Sequence, residues 1–353
     1  MRIGLLTSGG DCQGLNAALR GAAKTLYNLL PDVEIYGIMD GYKGLIEADW
    51  RKMEPHEFSG ILQEGGTILG TSRQPFKTIS KPDENDVDKL SMMLSNYKAG
   101  GFDALVILGG NGTHKTANLL SQHGVNVVTM PKTIDNDIYG TDMTFGFDSA
   151  VQRASSVIDA IHTTAASHGR VFVIELMGHK AGWLALYAGF ASGADVILIP
   201  EIPYRVKSVV EVIEKRNSQG KKFSLIAIAE GALTKKEAEL PKKERKKINE
   251  NSTSGMRLAG ELREHLMQDV RTVMPGHFQR GGDPTHVDRA LCSRLGAKAG
   301  EMVRNREFGR MVSLRGDSIT SVPLGQVAGK LKTVPENCEI LHQARLLGLS
   351  FGE

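Results

Sequence analysis

The chain has few cysteines, few aromatic residues and no long apolar run, and each shortage excludes a class of protein. Its three cysteines lie far apart and form no Cys-x-x-Cys pair, which excludes a disulfide framework and a structural zinc site. Aromatic residues make up 6% of the chain and the formal net charge is +3, so no nucleic-acid partner is predicted.

No stretch approaches the roughly 20 apolar residues that span a bilayer. The amino-terminal stretch "MRIGLLTSGG" is too short in its apolar part to be the core of a signal peptide. We therefore expect a cytoplasmic protein with reduced thiols and no membrane partner.

Glycine, by contrast, is abundant, with 40 among 353 residues, and short apolar runs alternate with helical patterns along the chain. Continuous apolar runs such as "ALVILGG" and "FSLIAIAEGA" are typical of parallel strands covered on both faces. The chain is longer than the size at which a single hydrophobic core stops growing and chains divide into domains. We predict an α/β protein with two Rossmann-like, three-layer domains that face each other across a cleft.

A charged insert, "LTKKEAELPKKERKKINENSTSG", occupies residues 233–255. Acidic residues are mixed with the basic ones, which is typical of a solvated surface segment. We assign it no role in the chemistry.

Two glycine-rich stretches near the amino terminus are candidate phosphate loops. The first, "TSGGDCQGLNAALRG", follows a strand and opens a helix, where backbone amides can bind an anion. It is not a P-loop, because Leu15 and Asn16 stand where Lys and Ser or Thr are required. The second, "LGTSRQPFK", contains Arg73, whose guanidinium can hold a phosphate with two hydrogen bonds.

A third glycine loop follows the apolar run at residues 104–108 in "ALVILGGNGTHKTANLL". Gly109, Gly110 and Gly112 allow a ligand to approach the backbone closely. Thr113 is predicted to cap the helix that follows. Three such loops within the first 115 residues exceed what turns alone require.

The segment "PKTIDNDIYG" supplies candidate catalytic groups. If it is extended, Thr133, Asp135 and Asp137 project to one side because they occupy alternate positions. An Asp near Mg²⁺ suits the base that takes a proton from a phosphoryl acceptor. A loop that caps a helix would explain the same residues equally well.

Cations recur in loops after the later strands, and "HFQRGG" is the most compact group. His277 and Arg280 on either side of a turn would form a phosphate site, with a guanidinium fork and an imidazole donor. The other cations are Arg170, His179, Lys180 and Arg271. The residues alone thus predict an enzyme with one phosphate site for a nucleotide-like donor and another for a phosphorylated acceptor.

The chain resembles the 6-phosphofructokinase family over nearly its whole length. The resemblance is carried, in the family's order, by "TSGGDCQGLNAALRG", "GGTILGTSR", "GGNGT", "PKTIDND", "GRVFVIELMG", "AGWLALYAG", "IAIAEGA" and "PGHFQRGGDPTHVDR". It implies phosphoryl transfer from ATP, or from pyrophosphate in some branches, to the 1-hydroxyl of fructose 6-phosphate with Mg²⁺. It also implies a homodimer or homotetramer with shared active sites.

The resemblance further implies a donor-binding domain at residues 1–146 and about 279–330, and a sugar-phosphate-binding domain at 147–278 with the carboxyl-terminal segment. The implied catalytic residues are Asp135 as the base, Thr133 and Arg170. Those for the donor are Gly10, Arg73, Gln74, Gly110, Asn111, Gly112, Thr113 and Lys132. Those for the sugar phosphate are Thr133, Ile134, Asp135, Arg170, Met177, Gly178, His179, Glu230, Arg271, His277, Phe278, Gln279 and Arg280.

Three departures from the family pattern concern metal coordination, sugar-phosphate binding and the choice of phosphoryl donor. Asn111 replaces an Asp that contacts Mg²⁺, which argues against direct coordination there and leaves Asp137 as the implied metal ligand. His179 replaces an Arg in the sugar loop, which leaves a kinase for another sugar phosphate open. The chain also pairs Gly112, typical of ATP users, with Lys132, typical of pyrophosphate users.

We favour ATP, because Gly112 removes a side chain that would block a nucleotide and whose charge would repel it. Lys132 can contact a phosphate without excluding a nucleotide. A pyrophosphate-dependent enzyme and a non-catalytic sugar-phosphate-binding homologue remain the alternatives.

Overall fold

The computed structural model describes residues 1–79, 82 and 88–353. The strands of the described residues are β1 (Arg2–Ser8), β2 (Glu34–Ile38), β3 (Trp50–Met53), β4 (Ala104–Gly109), β5 (Val127–Pro131), β6 (Val171–Leu176), β7 (Val196–Leu198), β8 (Ser224–Ala229), β9 (Val270–Val273), β10 (Arg310–Arg315) and β11 (Ser318–Pro323).

The α-helices of the same residues are α1 (Leu15–Leu29), α2 (Tyr42–Glu47), α3 (Phe76–Ile79), α4 (Lys89–Ala99), α5 (Asn111–Gln122), α6 (Phe147–His168), α7 (Trp183–Ala191), α8 (Val206–Ser218), α9 (Lys235–Glu239), α10 (Lys242–Asn251), α11 (Ser254–His265), α12 (His286–Arg304), α13 (Leu324–Val327) and α14 (Glu339–Leu346). Short 3-10 helices lie at Pro55–Phe58, Ile61–Gln63 and Gly276–Arg280.

The chain folds into two compact units, each assembled from segments that are distant in sequence. The first unit comprises Met1–Ile134, Ile138–Ser149 and Arg280–Lys332. The second comprises Asp135–Asp137, Ala150–Gln279 and Thr333–Glu353.

The first unit contains a seven-stranded sheet in the order β11-β10-β5-β4-β1-β2-β3. Its five central strands are parallel, but β3 and β11 run antiparallel to their neighbours. The α/β class is confirmed, and the parallel pairing that the apolar runs predict holds for the central strands but not for the two edge strands. At one edge the reason is local, because Gly316 and Asp317 join β10 to β11, and Gly-Asp is a two-residue hairpin signal.

Helices cover both faces of this sheet, which is why a central strand such as β4 is buried along its whole length. One face packs against α2, α4, α5 and α13 in a continuous apolar cluster. Strand residues that point the other way, such as Val106 and Val128, are equally buried. Helices α1 and α12 pack so closely together that a Cβ on Gly296 would lie 2.5 Å from the carbonyl oxygen of Ala18.

The second unit contains a four-stranded sheet in the order β7-β8-β6-β9, and all its pairs are parallel. Every residue of β8 is buried, with α7 and α11 packed against it. The continuous apolar run "SLIAIA" therefore forms the parallel strand that its pattern predicts.

The charged insert folds into α9 and α10. Thr234 caps α9 and forms a reciprocal capping box with Glu237, and Glu237 pairs with Arg257 at 2.8 Å. Helix α10 has no buried residue, as its charge predicts. In residues 1–79, 82 and 88–353, no helix is both long enough and apolar enough to cross a bilayer.

Candidate active site

Three loops of the first unit begin side by side because the strands before them end in register. Ser8 of β1 is paired with Gly109 of β4, and Gly109 is paired with Pro131 of β5. The carboxyl ends of parallel strands form the edge at which α/β sheets bind ligands. The first glycine loop, the third glycine loop and Lys132 therefore share one edge of the sheet.

The first loop has a backbone that requires glycine. Gly9 and Gly14 adopt φ values of 88° and 92°, a left-handed region that other residues rarely enter. The backbone amide of Gly9 donates to the carbonyl oxygen of Ser72 at 3.0 Å. The hydroxyl of Thr71 donates to the carbonyl oxygen of Gly9 at 2.6 Å. The second loop is thus fixed to the first, with the exposed Arg73 next to this junction.

Two cations from distant segments hold the first loop. The ammonium of the buried Lys132 donates to the carbonyl oxygen of Gly10. The guanidinium of Arg280 donates to the carbonyl oxygen of Asp11 at 2.8 Å. A Cβ on Gly10 would lie 3.1 Å from Nη1 of Arg280, so a larger residue there would require the guanidinium to shift. Arg280, which the resemblance assigns to the sugar phosphate, thus contacts the first glycine loop.

The third loop opens α5, but Thr113 does not cap it. The helix begins at Asn111, and its N-cap is the extended Gly110 (φ −89°, ψ −169°). Gly110 already adopts the N-cap conformation, so the helix starts before Thr113, whose hydroxyl donates to the carbonyl oxygen of Ser8 at 3.5 Å. The predicted cap was wrong. Gly112 lies in the first turn, and a Cβ there would meet no atom of the described residues within 4 Å.

His114, beneath this loop, is a residue that the sequence analysis missed. It is fully buried, and neither ring nitrogen has a hydrogen-bond partner among the described residues. Burial, with a smaller contribution from Lys132, lowers the pKa of His114 to about 3. The available signal was its spacing from Ala117 and Leu120, which places all three on the buried face of α5.

The segment from Thr133 to Asp137 is not extended, so the condition for three side chains on one side is not met. Ile134 and Asp135 form a turn, and Asn136 has a φ of 51°. Ile134 is fully buried and Asp137 is 6% exposed. The turn leaves Asp135 more exposed than these neighbours.

In the second unit, the loops that follow β6 and β8 also begin side by side. Leu176 is paired with Ala229, so the loop from Met177 runs next to Glu230. The backbone amide of His179 donates to Oε1 of Glu230 at 2.7 Å. This bond holds His179 at a φ of 51°, and its imidazole is exposed.

The carboxyl of Glu230 has a raised pKa. Burial is the main cause, and the charge of Asp135 also raises the pKa, whereas the amide of His179 lowers it. A carboxylate accepts hydrogen bonds from hydroxyl groups, so Glu230 can serve as an acceptor for a sugar.

The segment "GHFQR" forms the 3-10 helix Gly276–Arg280. His277 and Phe278 are exposed, whereas Gln279 is fully buried. The side chain of Gln279 accepts from the amide of Met177 at 3.3 Å and donates to the carbonyl oxygen of Gly276 at 3.0 Å. Gln279 thereby ties the loop that begins at Met177 to this 3-10 helix through backbone groups.

Arg170 and Arg271 do not lie in loops after strands, so that expectation was wrong for both: Arg170 directly precedes β6, and Arg271 lies within β9. The two side chains converge on one carboxylate. Nε of Arg170 lies 3.0 Å from Oδ2 of Asp269, and Nε and Nη2 of Arg271 each lie 2.9 Å from the same oxygen. Asp269 was not among the predicted site residues; it directly precedes β9, and its spacing of two residues from Arg271 was the available signal, since alternate residues of an extended chain face the same side. All three side chains are partly exposed, so they are accessible to an anion.

Within the described ranges, no group of three or more His, Cys, Asp or Glu residues is placed to hold a metal ion. Burial raises the pKa of the Cys12 thiol to about 12 and that of Cys292 well above its usual value. Neither thiol is therefore a nucleophile or a metal ligand near neutral pH.

Glycine loops at parallel strand ends, with a helix amino terminus and two cations beside them, give the first unit an arrangement that is typical of α/β proteins that hold phosphate groups. The sequence model of the family described as "Phosphofructokinase" matches residues 2–303. The chain belongs to this family.

The chain is similar to curated relatives along its full length. It is 50% identical to the "ATP-dependent 6-phosphofructokinase" of Spirochaeta thermophila, over 99% of this chain and 97% of that protein. It is 48% identical to "ATP-dependent 6-phosphofructokinase 3" of Bacteroides thetaiotaomicron, over 100% of both chains.

Solved structures also match. The phosphofructokinase of Saccharomyces cerevisiae superimposes with a TM-score of 0.78 at 31% identity over 92% of this chain. The match spans only 45% of the yeast chain. A pyrophosphate-dependent phosphofructokinase from Nitrosospira multiformis shares the fold with a TM-score of 0.81 at 21% identity, over 95% of this chain and 86% of that one.

Proposed function

We propose that this chain transfers the terminal phosphoryl group of ATP to the 1-hydroxyl of fructose 6-phosphate, in glycolysis. The observation that carries the choice of donor is the open space at Gly112, in the first turn of α5. No side chain or charge there opposes a nucleotide. The curated relatives at 50% and 48% identity are named as ATP-dependent enzymes, which supports the same donor.

The donor phosphates would lie at the shared edge of the first unit. Helix α5 has 12 residues, and its amino-terminal amides favour an anion. We assign this role to Gly10, Arg73, Gln74, Gly110, Asn111, Gly112, Thr113 and Lys132. The donor-binding domain would be residues 1–146 and about 279–330.

The sugar phosphate would be held mainly by the other domain, residues 147–278 with the carboxyl-terminal segment. We assign it to Thr133, Ile134, Asp135, Arg170, Met177, Gly178, His179, Glu230, Arg271, His277, Phe278, Gln279 and Arg280. Asp135 would take the proton of the acceptor hydroxyl as that oxygen attacks the terminal phosphorus. Thr133 would lie beside the transferred group.

Mg²⁺ fits a site that offers few protein ligands. It commonly uses one or two carboxylates, with substrate phosphates and water completing its octahedron. Asp137 would supply a carboxylate and Asn111 at most an amide oxygen. When bound, Mg²⁺ would neutralise charge on the donor phosphates. The enzyme would work in the cytoplasm as a homodimer or homotetramer in which Arg170 and Arg271 reach a neighbouring subunit's site.

Lys132 is the one observation that favours pyrophosphate as the donor. Its ammonium, however, donates to the carbonyl oxygen of Gly10, so it has a role in holding the first glycine loop that does not depend on the donor. This reduces its weight as a marker of pyrophosphate use.

A coupled assay with fructose 6-phosphate and each donor in turn tests the proposal. We expect turnover with ATP and little with pyrophosphate. Turnover with pyrophosphate alone would reverse the donor assignment. Binding of fructose 6-phosphate without transfer from either donor would favour the non-catalytic homologue, and a panel of sugar phosphates would reveal another acceptor.

A further inference from the structure

Helix α10 of the charged insert lines a cavity in the second unit. The cavity has a volume of about 860 Å³, within the range of small-molecule sites. Lys242, Arg245 and Lys246 line one side, because residues at i, i+3 and i+4 share a helix face. His179 and Glu230 line it as well, so the cavity reaches the sugar loop.

The acidic residues around this cavity are already engaged. Oε2 of Glu175 accepts from the backbone amide of Gly255 at 2.6 Å. Oε1 of Glu230 accepts from the amide of His179 at 2.7 Å. Glu250 pairs with Lys246 at 3.3 Å. Among the described residues, the one ion pair of this group is that of Glu250 with Lys246, and none joins these acids to the other cations of the cavity.

Those cations are Arg245, Lys242 and Lys180. Within residues 1–79, 82 and 88–353, none of the three forms an ion pair. Arg245 has the strongest need for an acceptor among the three. Its Nε is buried and has no hydrogen-bond partner among the described residues. A buried guanidinium N–H without an acceptor is unfavourable, and Arg245 lines the cavity, so rotation of its side chain towards an oxyanion there would supply an acceptor.

The helix that carries Arg245 is anchored rather than loose. Its neighbour α9 is fixed by the capping box at Thr234 and by the ion pair of Glu237 with Arg257. On the far side, Thr253 caps α11. A ten-residue helix is marginal by itself in water, so these two attachments hold the basic face of α10 towards the cavity.

We propose that this cavity binds a phosphate monoester, with Arg245 as the principal cation and Lys242 and Lys180 beside it. An Arg fork suits the geometry of phosphate oxygens. The monoester has two possible sources: the sugar phosphate that the enzyme phosphorylates, or a separate phosphorylated metabolite whose binding would affect the adjoining sugar loop. The site does not depend on which phosphoryl donor the enzyme uses.

Hydrogen exchange of the α10 amides, with inorganic phosphate as the probe, tests the site without a need for turnover. Phosphate should slow exchange across Lys242–Asn251 in the full-length protein, and sodium chloride at equal ionic strength should not. In Arg245→Gln, the phosphate concentration for half-maximal protection should rise at least tenfold. Lys247→Gln is the matched control, because it removes one positive charge from the same helix at an exposed position outside the cavity, and it should change this concentration less than twofold.

Arg245→Lys checks that the effect follows the charge and not the fold. It keeps one cation without the fork, so it should retain part of the protection that Arg245→Gln loses. Equal protection of wild type and Arg245→Gln by phosphate, or no protection of α10 in wild type, would overturn the proposal.

Fructose 6-phosphate as a second probe separates the two sources. If Arg245→Gln also raises its KM about tenfold, the site takes the acceptor's own phosphate. If the KM is unchanged while protection by phosphate is lost, the site takes a separate phosphorylated compound. Absence of all turnover in wild type would count against the proposed function, whereas protection of α10 by phosphate would still support this site.

Discussion

In the first unit, the groups proposed to bind phosphate are mostly backbone at one edge of the sheet, whereas in the second unit the proposed groups are mostly charged side chains held by carboxylates. Gly9, Gly10 and Gly14 and the start of α5 shape the first edge, with Lys132 and Arg280 bound to its carbonyl groups. In the second unit such groups lie at both ends of β6: Asp269 holds two arginines where β6 begins, and Glu230 holds the backbone of His179 beyond the end of β6.

This difference has a consequence for substitutions. A backbone site is already formed, so a new side chain acts on it by blocking space or by adding charge. A site of paired charges must exchange partners when an anion arrives, so removal of a carboxylate changes how the cations are positioned.

The largest effect is expected at Asp135, whose proposed role belongs to the chemical step. Asp135→Asn should lower kcat about 10³-fold, because a positioned base contributes 10²–10⁴-fold. The KM values for both substrates should change little. A coupled assay with ATP and fructose 6-phosphate measures both parameters. A kcat within tenfold of wild type would remove Asp135 from the proton transfer.

Gly112→Asp tests the backbone edge. A carboxylate in the first turn of α5 would lie near the donor phosphates and repel them. We expect kcat/KM for ATP to fall about 100-fold, or about 3 kcal/mol. Gly112→Asn is the matched control, since asparagine has nearly the size of aspartate without its charge. Its kcat/KM for ATP should fall less than that of Gly112→Asp. An unchanged KM for ATP in Gly112→Asp would show that the nucleotide lies elsewhere.

His114 has no counterpart in the second unit and should give the first unit a pH-dependent stability. Its folded pKa is about 3, against about 6.5 for the unfolded chain. Between these values the unfolded chain binds the extra proton, so the free energy of unfolding falls as the pH drops below about 6.5. At pH 5 the loss is about 2 kcal/mol.

Denaturant unfolding of wild type and His114→Asn at pH 7 and pH 5 measures this loss. The difference between the two pH values should be about 2 kcal/mol smaller in the variant. Burial raises the pKa of Asp288 to about 6, which acts in the opposite direction, but this contribution is common to both proteins. Equal pH dependence in the two proteins would mean that His114 is protonated in the folded state.

The smallest effect is expected at Asp269. Asp269→Asn should leave stability nearly unchanged, because partly exposed ion pairs contribute little. It should raise the KM for fructose 6-phosphate about fivefold, since Arg170 and Arg271 lose the carboxylate that orients both. The kcat should stay within twofold. If the KM falls instead, Asp269 competes with the substrate for the arginines.

The sequence was sufficient for the α/β class because apolar runs such as those of β4 and β8 are continuous. It was also sufficient for the first and third glycine loops, since strand, glycine and helix follow one another directly there. The antiparallel edge at β11 could have been predicted from Gly316 and Asp317. The N-cap of α5 was misplaced by three residues, because Gly110 adopts the capping conformation without a side chain to indicate it.

Contacts between distant segments were beyond prediction from one sequence. Nothing local indicates that Arg280 reaches the carbonyl oxygen of Asp11, or that Arg245 lines a cavity with Glu230. The burial of His114 depends on helices packed around α5. The ion pairs of Arg170 and Arg271 with the same carboxylate, Asp269, depend on the pairing of β6 with β9. These features arise from tertiary packing, in which side chains from separate elements meet.

The discontinuous first unit also sets an order of events during synthesis. Strand β5 pairs with β10, and α1 packs against α12, but residues 150–279 are made in between. At about 5–20 residues per second, this takes on the order of 10 s. During that interval β5 is an unpaired edge and the α12-facing side of α1 is exposed. The nascent chain would therefore depend on chaperones most strongly before α12 leaves the ribosome.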